Sequence, residues 1–219
     1  VPRAPQRLLI ATTNAGKLRE ARLILTGSPV HPGTFRPSDR RAFGRSDRQI
    51  EIATLSLWPD LASPEETGST FEENARLKAM YYARATGLAT VAEDSGLAID
   101  VLDGAPGIHS ARFGGESASY PERFAILRSM MRERGVETST ARFICALALV
   151  RDGRVEFEAR GTVEGAIAPE ARGENGFGYD PIFFYPPWNC TLAEVADDRK
   201  AEVSHRGEAF RKLRAYLGS

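Results

Sequence analysis

Leu8-Leu9-Ile10-Ala11-Thr12-Thr13-Asn14-Ala15-Gly16-Lys17 is the stretch on which the fold class turns. Its apolar start reads as a short buried strand and its polar second half as a turn, after which apolar residues from Leu18 to Leu25 recur at helical intervals. A strand passing through a tight turn into a helix is α/β architecture.

The rest of the chain extends this reading. Thr70-Phe71-Glu72-Glu73 has the capping-box form and predicts a helix from Phe71 to Thr86, closed by Gly87. Ala89–Ala92 and Leu97–Val101 read as strands flanking an acidic turn, Glu93-Asp94-Ser95-Gly96, which would set carboxylates at a strand end. Phe124, Leu127 and Met131 predict a helix over Pro121–Arg134, and a last helix fits Ser204–Leu217. Asp152-Gly153 suits the tight turn of a hairpin between Phe143–Val150 and Arg154–Val163. The expectation is an α/β fold with a mixed central β-sheet flanked by helices, in a single domain over residues 1–219 with two lobes around a cleft. The segment from His31 to Arg48 is rich in Pro, Gly, Ser and Arg, and residues 31–61 are expected to form an extended loop or insertion without an assigned role.

Composition narrows the function. In 219 residues, Lys plus Arg and Asp plus Glu both number 29, so no positive excess exists to neutralise a nucleic-acid polymer or an anionic membrane. No apolar stretch approaches a membrane span, and VPRAPQRLLI lacks the order of a secretory signal, so a cytoplasmic protein is expected. Cys145 and Cys190 lack metal or redox spacing and read as free thiols.

Five polar clusters can carry chemistry. Thr12 to Lys17 offers amide donors at a helix start, where an anion is favoured. As a P-loop it is defective, because Ala11 and Leu18 stand where Gly and Ser or Thr belong. Glu65 to Thr70 precedes a helix on which Asn74 and Lys78, four residues apart, share a face. Glu93-Asp94-Ser95-Gly96 supplies oxygen ligands of the kind Mg²⁺ takes. Gly104 to Arg112 is a Gly/Pro loop in which His109 alone is no ligand argument. The last cluster is Gly176-Phe177-Gly178-Tyr179-Asp180-Pro181, with Lys200 and Ser204-His205-Arg206 further on. An aromatic between glycines can lie flat on a base, and His and Arg offer donors to base oxygens. No nucleophile triad is favoured, whereas metal-assisted attack by water needs none. Together the clusters point to a nucleotide.

The order of these motifs resembles the non-canonical purine nucleoside triphosphate pyrophosphatases, also called the inosine triphosphatase family. TTNAGK, ETGSTFEENARLKA, EDSGLAIDVLDGAPGIHSARF, GFGYDPIF and SHRGEAF all fall in the family's order across nearly the whole chain. The resemblance implies an elongated fold with a central cleft, usually a homodimer. It implies that Thr12, Thr13, Asn14, Ala15, Gly16 and Lys17 cradle the triphosphate and that Lys78 reaches the same phosphates. Glu66 and Asp94 would hold Mg²⁺, with Asp94 as the base for the attacking water and Ser95 beside it at the substrate. Phe177, within the Gly178-Tyr179 loop, would stack on the base, and Asp180, Lys200, His205 and Arg206 would contact its edge or neighbouring groups. The expected activity is hydrolysis of ITP, dITP and XTP to the monophosphate and pyrophosphate. The alternatives are a pyrophosphatase for modified pyrimidine or methylated nucleotides and a regulator that binds without hydrolysis. Glu93 stands where many members have a second Asp, and the stretch from His31 to Leu61 is longer than in compact relatives.

Overall fold

The computed structural model describes residues 6–26 and 50–218. In chain order the elements are β1 (Gln6–Ile10), α1 (Ala15–Thr26), β2 (Ile50–Thr54), α2 (Phe71–Thr86), β3 (Ala89–Ile99) and α3 (Tyr120–Glu133), followed by β4 (Thr140–Arg151), β5 (Arg154–Ile167), β6 (Phe183–Tyr185), β7 (Cys190–Thr191), α4 (Asp197–Val203) and α5 (His205–Gly218). The strands form a seven-stranded sheet in the order β2-β1-β3-β4-β5-β6-β7. β1 runs parallel to both β2 and β3, whereas β6 is antiparallel to β5 and β7, so the sheet is mixed and the architecture is α/β.

The chain divides into two compact units. The first comprises Val1–Asp94, Ala146–Arg160 and Arg206–Ser219, and the second Ser95–Cys145 and Gly161–His205.

In the first unit, β1 leads through α1 to β2 on one side, and β2 leads through α2 to β3 on the other. α1 meets Glu93 through Lys17 and α2 meets Asp94 through Asn74 and Lys78, and because adjacent residues of a strand point to opposite faces, the two helices lie on opposite faces of the sheet. Leu8, Leu9 and Ile10 are all buried, as a parallel strand covered on both faces requires. β1 stops beside Val91, where the Ala11 amide donates to the Val91 carbonyl at 2.8 Å, and Thr12 to Lys17 turns away from that end into α1. Here the strand order reverses, β1 being followed by β2 on one side and β3 by β4 on the other, and such a switch point is where open α/β sheets receive ligands.

α2 begins and ends where the sequence places it. Thr70 Oγ1 accepts the Glu73 amide at 3.1 Å, Glu73 returns its carboxylate to the Ser69 amide and hydroxyl at 2.7 and 2.8 Å, and Gly87 closes the helix in the left-handed conformation. The reciprocal half of the capping box is thus displaced by one residue.

Two expectations are corrected. Glu93-Asp94-Ser95-Gly96 is no turn: β3 runs unbroken from Ala89 to Ile99 with nearly every position buried. β1 pairs with β3 only over Ala89–Val91, so it is the place of β3 beside β4 in the sheet that overrides the local turn preference of Asp-Ser-Gly. The expected loop over residues 31–61 contains β2, an edge strand whose Ile50–Thr54 pairs in register with Gln6–Ile10. The Arg-rich part of that stretch, from His31 to Arg48, lies outside the described residues.

The second unit has an extended apolar core of its own. Leu97, Ile99, Phe124, Leu127, Met131, Phe143 and Phe183 pack together with their neighbours, and α3 enters on a complete capping box between Ser119 and Glu122. α4 is a short helix that the sequence reading, which starts its last helix at Ser204, does not predict.

Candidate functional site

The polar residues singled out in the sequence gather around both faces of β3 in the first unit and around Asp180 and Lys200 in the second. In the first unit, Asn14 caps α1: its Oδ1 accepts the Lys17 amide at 3.1 Å, while Thr12 Oγ1 accepts the Asn14 amide at 3.2 Å. The turn is therefore held by its own side chains, with the first-turn amides of α1 at the helix's positive end. Thr13, Asn14 and Ala15 are exposed and Gly16 is buried.

Because side chains alternate along a strand, Glu93 and Asp94 leave β3 on opposite faces. Glu93 joins the network of α1 and α5. Arg206 Nε donates to both Glu93 oxygens at 2.8 and 2.9 Å, Arg206 Nη1 donates to Glu20 Oε2 at 2.7 Å, and Lys17 Nζ stands 3.6 Å from Glu93 Oε1. Arg206 and Glu20 are each 1% exposed, so these charges are compensated within the protein. Arg206 is thus anchored by two carboxylates through Nε and Nη1.

Asp94 joins α2. Lys78 Nζ donates to Glu66 Oε1 at 2.6 Å and to Asp94 Oδ1 at 3.1 Å, and Asn74 Nδ2 donates to Asp94 Oδ2 at 3.2 Å. Burial pushes the Asp94 carboxyl above the usual aspartate range; Glu66 adds to the rise, and Lys78 and Lys17 pull against it. Burial likewise disfavours the Lys78 ammonium, but Asp94 and Glu66 outweigh it and hold that group above its ordinary value.

The expected metal pair, Glu66 and Asp94, fits a cation. Both carboxylates converge on one positive group, the Lys78 ammonium, and their oxygens are the hard ligands that Mg²⁺ prefers. Among the described residues no third Asp, Glu, His or Cys completes a protein cage. Glu93 is directed to the opposite face of β3, so its extra methylene serves Arg206 and Lys17 rather than this pair.

In the second unit, Lys200 and Asp180 form a buried ion pair at 2.5 Å, and the Lys200 ammonium lies 4.6 Å from the centroid of the Phe177 ring. Asp180 Oδ2 also accepts the Phe177 amide at 2.8 Å. Gly176 has φ 71°, and a Cβ there would stand 2.3 Å from Asp180 Oδ2, so the loop closes on Asp180 only with glycine. Gly178 places the backbone beside Tyr120. Tyr179 turns to the core: its hydroxyl donates to the Ser110 carbonyl at 2.9 Å, its ring meets Tyr120 edge to face, and burial pushes its hydroxyl up to about 12. His205 stacks on Phe143 at 4.9 Å. Ser95 follows Asp94 directly and opens the second unit's share of β3.

The sequence reading leaves out Glu20 and gives Asn74 no role. A signal for both exists. Glu20 lies on the stripe with Ala21, Ile24 and Leu25 that α1 buries, and Asn74 lies with Phe71 and Ala75 on the buried stripe of α2. A polar residue on a buried stripe needs a partner.

Known proteins resemble this chain over almost its whole length. The sequence model of the Ham1 family matches residues 8–216. A dITP/XTP pyrophosphatase from Exiguobacterium sp. (strain ATCC BAA-1283 / AT1b) is 44% identical over 96% of each chain. One from Geobacter sulfurreducens is 41% identical over 97% of this chain and 96% of its own. The solved structure of a HAM1 protein from Coxiella burnetii superposes with a TM-score of 0.79 at 35% identity, covering 97% of this chain and 98% of that one.

Proposed function

Because the chain belongs to the Ham1 family, we propose that it hydrolyses ITP, dITP and XTP to the nucleoside monophosphate and pyrophosphate. The observation that carries this reading is the convergence of Glu66 and Asp94 on one cation position, with Lys17 of the α1 turn near enough to act on the Asp94 carboxylate.

Asp94 takes the proton of a water that attacks the α-phosphorus, and its buried setting, which raises its proton affinity, suits it to that task. Thr12, Thr13, Asn14, Ala15, Gly16 and Lys17 hold the phosphates through amides and the Lys17 ammonium, and Lys78 compensates charge from α2. Mg²⁺, held by Glu66 and Asp94, would supply a Lewis acid at the phosphate oxygens. In the second unit Phe177 takes the face of the base; the Lys200 ammonium and the Asp180 carboxylate fix that ring, with Ser95, Gly178, Tyr179 and His205 completing the surroundings. A 6-oxo group accepts hydrogen bonds where the 6-amino group of adenine donates them, so donors in this cluster disfavour ATP. We assign the chain to the cytoplasmic nucleotide pool, which suits the free thiols of Cys145 and Cys190, and to a homodimer, which sedimentation checks.

The test is pyrophosphate release across ITP, XTP, dITP, GTP, ATP and modified pyrimidine triphosphates with Mg²⁺. The expected result is turnover of the first three above the rest. Orthophosphate as the sole first product overturns attack at the α-phosphorus, preference for modified pyrimidines moves the substrate class, and no turnover of any triphosphate favours a binding regulator.

A further inference from the structure

Asn74 is 0% exposed in the first turns of α2, where Ala would suit the helix better by about 0.7 kcal/mol. Its amide is used at both ends. Oδ1 accepts the Gly68 amide at 2.8 Å, and Nδ2 donates to Asp94 Oδ2 at 3.2 Å. This orientation is determined by the partners: the reversed amide would set its NH₂ against the Gly68 N–H and its oxygen against a carboxylate.

Gly68 is matched to Asn74 by shape, since a Cβ on Gly68 would stand 2.6 Å from Asn74 Oδ1 and 2.7 Å from Glu73 Cβ. Gly68 is two residues from Glu66. One side chain therefore ties down the segment that carries Glu66 and claims one oxygen of Asp94, while Lys78, a helical turn further on, meets the other Asp94 oxygen and Glu66 itself.

We propose that Asn74 is a positioning residue for the reaction, fixing the orientation of the Asp94 carboxylate and the distance at which Glu66 faces it. It touches no substrate atom. Its effect passes through the two carboxylates, and it rests on the reading of Glu66 and Asp94 given above. Groups that orient a ligand from behind typically change metal affinity or activity by about 10- to 100-fold when removed.

Asn74→Ala is compared with the unaltered protein by steady-state hydrolysis of ITP and by Mn²⁺ titration without nucleotide, followed by electron paramagnetic resonance. The expected result is a kcat reduced by about 10- to 100-fold, a KM for ITP within about twofold, and Mn²⁺ binding weakened by about tenfold. Thr70→Ala, which removes the cap of the same helix, should lower the melting temperature without changing kcat or Mn²⁺ affinity. Should Asn74→Ala not fold, Asn74→Asp decides, because it keeps the acceptor for Gly68 and loses the donor to Asp94: a fall in kcat at constant KM supports the proposal and an unchanged kcat overturns it. Unchanged kcat and Mn²⁺ affinity in folded Asn74→Ala also overturn it. If the unaltered protein does not hydrolyse ITP, the functional reading fails, while the Mn²⁺ titration still tests whether Asn74 sets the carboxylates.

Discussion

The two units bury polar groups in opposite ways. The first sets ionic partners on both faces of one strand, Glu93 with Arg206, Glu20 and Lys17 on one and Asp94 with Lys78, Glu66 and Asn74 on the other. The second surrounds one ion pair, Lys200 with Asp180, by an aromatic and aliphatic core. Buried charge is costly unless it is paired and hydrogen-bonded, so the first unit is under strong restraint on residue type and the second mainly on shape.

The comparison breaks first at Asp94. Asp94→Asn should lower kcat for ITP by about 10²- to 10⁴-fold while binding of the nucleotide, measured by calorimetry, persists; near-normal turnover would remove Asp94 from the chemistry. On the other face of β3, Arg206→Met leaves Glu93 and Glu20 without their guanidinium and should cost about 3–5 kcal/mol in urea unfolding. A loss below ~1 kcal/mol, the range of an exposed pair, would show that the network is solvated rather than buried. The second unit should respond in binding instead. Phe177→Ala forfeits about 1–3 kcal/mol of stacking, seen as a raised KM for ITP with little change in kcat. The smallest effect is expected at Thr70→Ala, where loss of the cap costs about 1 kcal/mol of stability.

What the sequence discloses follows the reach of each interaction. α2 is legible at both ends because Thr70, Glu73 and Gly87 act within a few residues of themselves. The hairpin of β4 and β5 is legible for the same reason, though both strands extend beyond their expected limits. β3 is legible only at its two ends, Ala89–Ala92 and from Leu97, because Asp-Ser-Gly between them has the local chemistry of a turn and becomes strand through its place beside β4 in the sheet. β2 is hidden likewise, since Ile50–Thr54 becomes a strand by lying in register with Gln6–Ile10. Of the candidate site, the motifs identify Glu66, Lys78 and Asp94, and the fold sets the Lys78 ammonium within hydrogen-bonding distance of both carboxylates. The motifs alone leave unstated that Glu93 and Asp94, adjacent in sequence, serve opposite faces. Nor do the motifs disclose that Arg206, which the resemblance assigns to the base edge or neighbouring groups, engages Glu93 and Glu20 through its Nε and Nη1.

α2 also sets a constraint on insertions and deletions. Asn74 and Lys78 reach the two oxygens of one carboxylate because they stand about one turn apart on a continuous helix. A single residue added between them would swing one away from the other by about 100° around the axis, since each residue advances the helix by that angle. Residues between these two positions can change in kind within the limits of burial, but their number is fixed. The segment is a length standard, and lineages descended from this chain should vary its letters while keeping its count.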